Sequence, residues 1–178
     1  KSILKRTLKH SLFTQLCAGY GFINIDAGSG AGHLDNVEID GCTFNSICVT
    51  GKVFIFSKKT NMQDITIKNS TFYNCNGNGQ YFVDFNDAKF GPNTFTIENC
   101  IFGKSADERT DKNIRSKTPA NVANSFRTTD FFKVIKGVYD TEFSSDQLFT
   151  DPANGNFTIK AGTLKEKAGD PRWYVVED

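Results

Sequence analysis

Residues 37–44, 65–72 and 95–102 repeat one pattern: apolar, polar, apolar, charged, then Asn or Gly, a small residue, a variable residue and Phe. The first half alternates as a strand does and the second half turns a corner. A fainter copy occupies residues 7–13, so the closing rings fall at Phe13, Phe44, Phe72 and Phe102, separated by 31, 28 and 30 residues. A period of this size predicts a solenoid, whose units bury their apolar faces only when neighbours stack on them. A second strand recurs about ten residues after each of the first three phenylalanines, at 21–25, 52–56 and 80–85. Strands rich in aromatic and β-branched residues, separated by Gly and Asn, fit a β-solenoid. No stretch sustains the i, i+3, i+4, i+7 spacing of a helical repeat.

The predicted fold is all-β: a right-handed parallel β-helix, a single-stranded β-solenoid, of five or six coils with a C-terminal cap, forming one domain over residues 1–178. Aligned positions support in-register stacking. His10, Gly41, Asn69 and Asn99 share a corner, where an asparagine ladder is expected. Ser11, Cys42, Ser70 and Cys100 occupy a tight interior position. Lys9, Asp40, Lys68 and Glu98 alternate in sign along the outside, which disfavours slipped registers. Residues 1–18 read as a degraded first coil with no cap ahead of it, which predicts an upstream segment carrying a secretion signal or another domain. Residues 103–121 are highly charged and lose alternation, predicting a solvated excursion. Residues 122–126 look like a worn rung, and 131–135 like a further strand. Residues 148–178 form a last coil and cap, with Trp173 closing the open core.

Composition adds limits. The net charge of +1 gives no electrostatic case for nucleic acid. Seventeen Phe against one Trp and one Met point to a core of stacked rings. The five cysteines, Cys17, Cys42, Cys48, Cys75 and Cys100, have no metal-ligand spacing. They are better explained as stacked interior thiols than as disulfides or zinc ligands. The glycine-rich run at 28–33 is followed by a strand pattern and lacks a Lys-Ser/Thr pair, so it reads as a corner loop.

The Asp-Pro-Ala-Asn-Gly-Asn-Phe-Thr-Ile segment at 151–159, the Ala-Gly-Asp-Pro-Arg-Trp ending at 168–173 and the Asn-Ser-Thr-Phe rung at 69–72 carry a resemblance. Together they resemble the parallel β-helix modules of surface lipoproteins of glycan-utilising gut bacteria, which are similar in fold to pectate lyases and often left as domains of unknown function. The resemblance spans roughly residues 8–173. It implies export to the cell surface, a polysaccharide context and an upstream β-sandwich domain. This chain departs from it at residues 164–167, where Leu-Lys-Glu-Lys replaces a Ser-Pro-Ala-like run.

Candidate chemistry sits on the outer faces. With Ile23, Ile25, Ile55, Val83 and Phe85 inward, Phe22, Phe54 and Phe82 are expected outward as a platform for sugar rings. Asn24, Asp26, Asp84 and Asn86 stand beside them to bond hydroxyls. The leading expectation is a monomeric, exported, non-catalytic carbohydrate-binding or scaffold module without a cofactor. The first alternative is a polysaccharide lyase, with Glu38 and Asp40 holding Ca²⁺ and Lys68 as the base. The second is a structural or adhesive solenoid. A carboxylate pair for glycoside hydrolysis is poorly met by Asp26 and Asp84, which the coil bearing Lys58 separates. His10 and His33 lack companions for a triad or a metal.

Overall fold

The structure is a computed structural model that describes residues 5–17, 19–25, 35–58, 62–164 and 167–175, without the side chains of Met62 and Gln63. The first coil comprises β1 (Lys5–Lys9), β2 (Leu12–Thr14) and β3 (Gly21–Ile25). The second comprises β4 (Asn36–Asp40), β5 (Thr43–Asn45) and β6 (Val53–Ser57), and the third β7 (Met62–Lys68), β8 (Thr71–Tyr73) and β9 (Val83–Asp84). The fourth contains β10 (Pro92–Glu98), β11 (Ile101–Phe102) and β12 (Ile114–Arg115). Beyond it come β13 (Asn121–Ala123), β14 (Phe126–Arg127) and β15 (Tyr139–Asp140). All pair in parallel into three sheets ordered β1-β4-β7-β10-β13, β2-β5-β8-β11-β14-β15 and β3-β6-β9-β12. The fold is thus the expected parallel β-helix, but with four three-sided coils and a tapering fifth.

The register matches the repeat. Val37 pairs with Ile65 and Ile65 with Phe95, while Phe13, Phe44, Phe72 and Phe102 form one column. Their centroids are 5.2, 5.0 and 5.1 Å apart and the planes within 14° of parallel. At the first corner His10, Gly41, Asn69, Asn99 and Asn124 all have positive φ, a conformation that Gly and Asn adopt at low cost. The amide ladder exists: Asn124 Nδ2 donates to Asn99 Oδ1 (2.8 Å), Asn99 to Asn69 (3.0 Å), and Asn69 to Asp40 (2.7 Å). Next to it Cys42, Ser70, Cys100 and Ser125 are buried, each donating to the carbonyl two residues back. Burial pushes the Cys75 and Cys100 thiols up to about 12, since a thiolate there would lose its hydration.

Four expectations need correction. Cys17 and Cys48 form a disulfide, with Cα atoms 4.9 Å apart; only Cys42, Cys75 and Cys100 are free. Cys17 and Cys48 follow Phe13 and Phe44 by four residues each, and in-register stacking brings such positions within bridging distance. The charged stretch 103–121 is no mere excursion: Ser105 bridges to Cys75 and β12 completes the fourth coil.

The third concerns residues 131–135, which form no strand but plug the end of the core. Phe131 packs 5.3 Å from Phe102, Ile135 is buried behind it, and the buried Lys133 reaches Asp107 at 3.4 Å. Desolvation lowers the Lys133 pKa, and the Asp107 carboxylate opposes that shift.

The fourth is Trp173, which does not close the core. After a short helix, α1 (Ser145–Leu148), an antiparallel hairpin of β16 (Phe149–Asp151) and β17 (Asn156–Ile159) packs on the outside of the second sheet. The tail then runs back along that face. Asn124 bonds the Lys167 carbonyl (3.1 Å), the Gly169 amide the Asn99 carbonyl (2.7 Å), the Asp170 amide Thr71 Oγ1 (2.9 Å), and Trp173 Nε1 Thr43 Oγ1 (2.7 Å). Only glycine fits at 169, where φ is 83° and a Cβ would lie 2.7 Å from Thr71 Oγ1.

Candidate functional site

The outer face of the third sheet carries a groove of about 390 Å³. Its axis follows from register: Asn24 pairs with Phe56, Phe56 with Asp84 and Asp84 with Arg115, one outward position in four successive coils. The aromatic element comes from Phe56 and Tyr20. Their rings are 5.3 Å apart, and Tyr20, ahead of β3, is 59% exposed. Lys52 Nζ stands 5.9 Å from the Tyr20 centroid. Gln80, Asn86 and Lys58 also line the groove.

Its polar floor is fixed by one ion pair. Arg115 donates to both carboxylate oxygens of Asp84, at 2.6 and 2.8 Å, and to Asn86 Oδ1 at 3.4 Å. The Asn86 amide donates to Asp84 Oδ1 (2.6 Å). Bonding to Asp84 holds the Arg115 pKa above its ordinary value. Arg115 and Lys112 each lie 4.9 Å from the Tyr81 centroid, so that ring serves as a cation seat.

The expected outward row of Phe22, Phe54 and Phe82 is overturned. Phe54 and Phe82 are fully buried and Phe22 is half-buried. Their rings form a second interior column, with centroids 5.4 and 5.1 Å apart, edge-on to the first column at 4.9–5.5 Å. The cause is local. The amides of Phe54 and Ile55 both donate to the Phe82 carbonyl, and those of Phe82 and Val83 both to the Asn113 carbonyl. At that corner two consecutive residues turn inward, so strict alternation begins one residue later. Asn24, Asp84 and Asn86 do lie on the outer face, whereas Asp26 and His33 lie outside the described residues. Tyr20, Phe56, Tyr81 and Arg115 were not foreseen. No sequence signal separates Phe56 from Phe54: two positions apart, they share a face under strict alternation, and only the paired inward turn of Phe54 and Ile55 parts them.

The outer face of the first sheet, where Glu38, Asp40 and Lys68 were expected to act, also forms a shallow groove, of about 410 Å³. Its charges are mutually satisfied. Glu38 bonds Lys5 and, at 2.8 Å, Lys9; Asp40 accepts from Asn69; Lys68 pairs with Glu98 at 2.7 Å. Hydrogen bonding to Lys5 and Lys9 lowers the Glu38 pKa, and bonding to Glu98 raises that of Lys68. Among the described residues no three His, Cys, Asp or Glu side chains are grouped to hold a metal ion. No described helix is long and apolar enough to cross a membrane.

No curated protein and no solved structure matches the chain. The family model described as a domain of unknown function, DUF5123, matches residues 65–173. That span runs from the third coil through the plug and hairpin to Trp173, more than half of the chain, and the protein belongs to the DUF5123 family.

Proposed function

We propose that the protein is an exported, non-catalytic carbohydrate-binding module that takes its ligand in the groove of the third sheet. The observation that carries this reading is the exposed Tyr20 ring beside Phe56, at one end of a row of amide, carboxylate and guanidinium groups set by Asn24, Asp84, Asn86 and Arg115. A sugar presents a C–H face to an aromatic ring and hydroxyls around its rim, and this arrangement offers partners for both. Because the row follows the coil axis, successive sugar units would lie along it, at steps of about 4.8 Å per coil.

Export to an oxidising compartment, at the cell surface or beyond it, is supported by the Cys17–Cys48 disulfide. A lyase acting through Glu38, Asp40 and Lys68 is the weaker reading. A proton-abstracting lysine needs a lowered pKa, and Glu98 moves Lys68 the other way. The test is calorimetry and glycan arrays with neutral and acidic plant, fructan and host polysaccharides. Binding that Tyr20→Ala weakens at least about tenfold supports the proposal. Absence of any ligand, or binding indifferent to Tyr20→Ala and Asn86→Ala, sinks it in favour of a scaffold or adhesive role.

A further inference from the structure

The third sheet ends one strand earlier than the first, and β12 is its terminal strand. In the ladder with β9 the Asn113 carbonyl accepts from Phe82 and Val83, and the Arg115 carbonyl accepts from Phe85. Backbone groups alternate in direction along a strand, so Ile114 points its own N–H and C=O the other way, where no strand follows. On that side lies a separate groove of about 360 Å³ between β12 and the plug. Asn113 Oδ1 accepts from the Val134 amide (2.9 Å) at its margin. Val134 and Ile135 give the groove an apolar wall, and Val134 is half exposed. Lys117 and Lys136 line it, both exposed, and the lining contains no carboxylate. Neither lysine has an ion-pair partner among the described residues.

We infer that this slot is a docking site for an extended acidic peptide, which would pair along β12 through Ile114 and set its carboxylates against Lys117 and Lys136. Strand addition takes its affinity from main-chain bonds and its selectivity from side chains alongside. Here the free backbone edge supplies the first, and two cations with no neighbouring acid supply the second. The slot offers a strand edge and two lysines where the third-sheet groove offers an exposed ring beside a carboxylate and a guanidinium, and the linings share no residue, so the two proposals stand or fall separately.

The probe is a fluorescein-labelled peptide of alternating valine and aspartate, with its valine–lysine counterpart as control, followed by fluorescence anisotropy on the whole chain. The acidic peptide is expected to bind and the basic one not. Ile114→Pro deletes the outward N–H without touching a β9 bond, and should weaken binding about tenfold. Its melting temperature, compared with that of the parent, shows whether the fold persists. The double variant Lys117→Glu, Lys136→Glu, confined to exposed side chains, should invert the preference towards the basic peptide. Equal binding of both peptides, no binding at all, an unchanged preference in the double variant, or displacement by an acidic oligosaccharide that has no peptide backbone would each overturn the inference. Tyr20→Ala should leave peptide binding unchanged.

Discussion

The outer faces of the first and third sheets are built from the same coils at the same spacing, yet they differ in what they leave available. On the first, Glu38 is shared by Lys5 and Lys9, Lys68 is held by Glu98, and Asp40 ends the asparagine ladder. On the third, Asp84 and Arg115 satisfy one another, but Tyr20 and the groove edge stay open to solvent. A stack of identical coils turns each outward position into a row. A row of alternating charge closes on itself, whereas a row of unlike residues leaves a surface.

The largest effect that separates these faces lies beneath the third sheet. Phe54→Ala removes a buried ring of the second aromatic column that packs edge-on against Phe44 and Phe72 of the first, and should cost about 3–5 kcal/mol in denaturant unfolding; a loss under about 1 kcal/mol would mean that the ring does not hold up the groove. Asp84→Ala comes next. It leaves the Arg115 guanidinium half-buried without its anion, and a stability loss of about 1.5–3 kcal/mol is expected, together with loss of sugar binding. Tyr20→Ala should reduce sugar affinity about tenfold while changing stability by less than about 0.5 kcal/mol, as other exposed substitutions do.

Smallest is Glu38→Gln, worth at most about 1 kcal/mol because its ion pairs are exposed. Its sign with pH is fixed. The Glu38 pKa is lowered on folding, so its contribution is present above the ordinary carboxylate value and fades as pH falls through the folded one. The variant should therefore match the parent in acid and fall behind it at neutral pH. Sugar binding unaffected by Glu38→Gln but abolished by Asp84→Ala would establish the contrast between the faces; the reverse would dissolve it.

The sequence made the coil period and the Phe13–Phe102 column legible because each rung repeats its corner, and a corner that needs positive φ marks itself with Gly or Asn. The third-sheet face was harder to read. Val53, Phe54, Ile55 and Phe56 are all apolar, so alternation cannot say which pair turns in, and the corner that sends Phe54 and Ile55 in together needs no glycine. Phe56 was hidden for the same reason. Cys17 and Cys48 were in view, but a spacing of 31 residues tells of a bond only once the coils are known to stack in register. The tail was misjudged because an ending rich in Gly, Pro and Trp fits an end plug and a lateral path equally well. Only Thr43 and Thr71, small and polar on an outer face, mark the track it follows.

That track has a consequence for how the molecule comes apart. Stacked coils coupled only to their neighbours peel from either end, each at its own temperature. Here residues 167–173 lace the fifth coil back to the second, joining Thr43 to side chains 127 and 130 positions away. The interior coils cannot loosen singly without tearing that seam, so the chain should melt as one unit. During synthesis the seam closes only after the coils it joins, once Trp173 has cleared the ribosome.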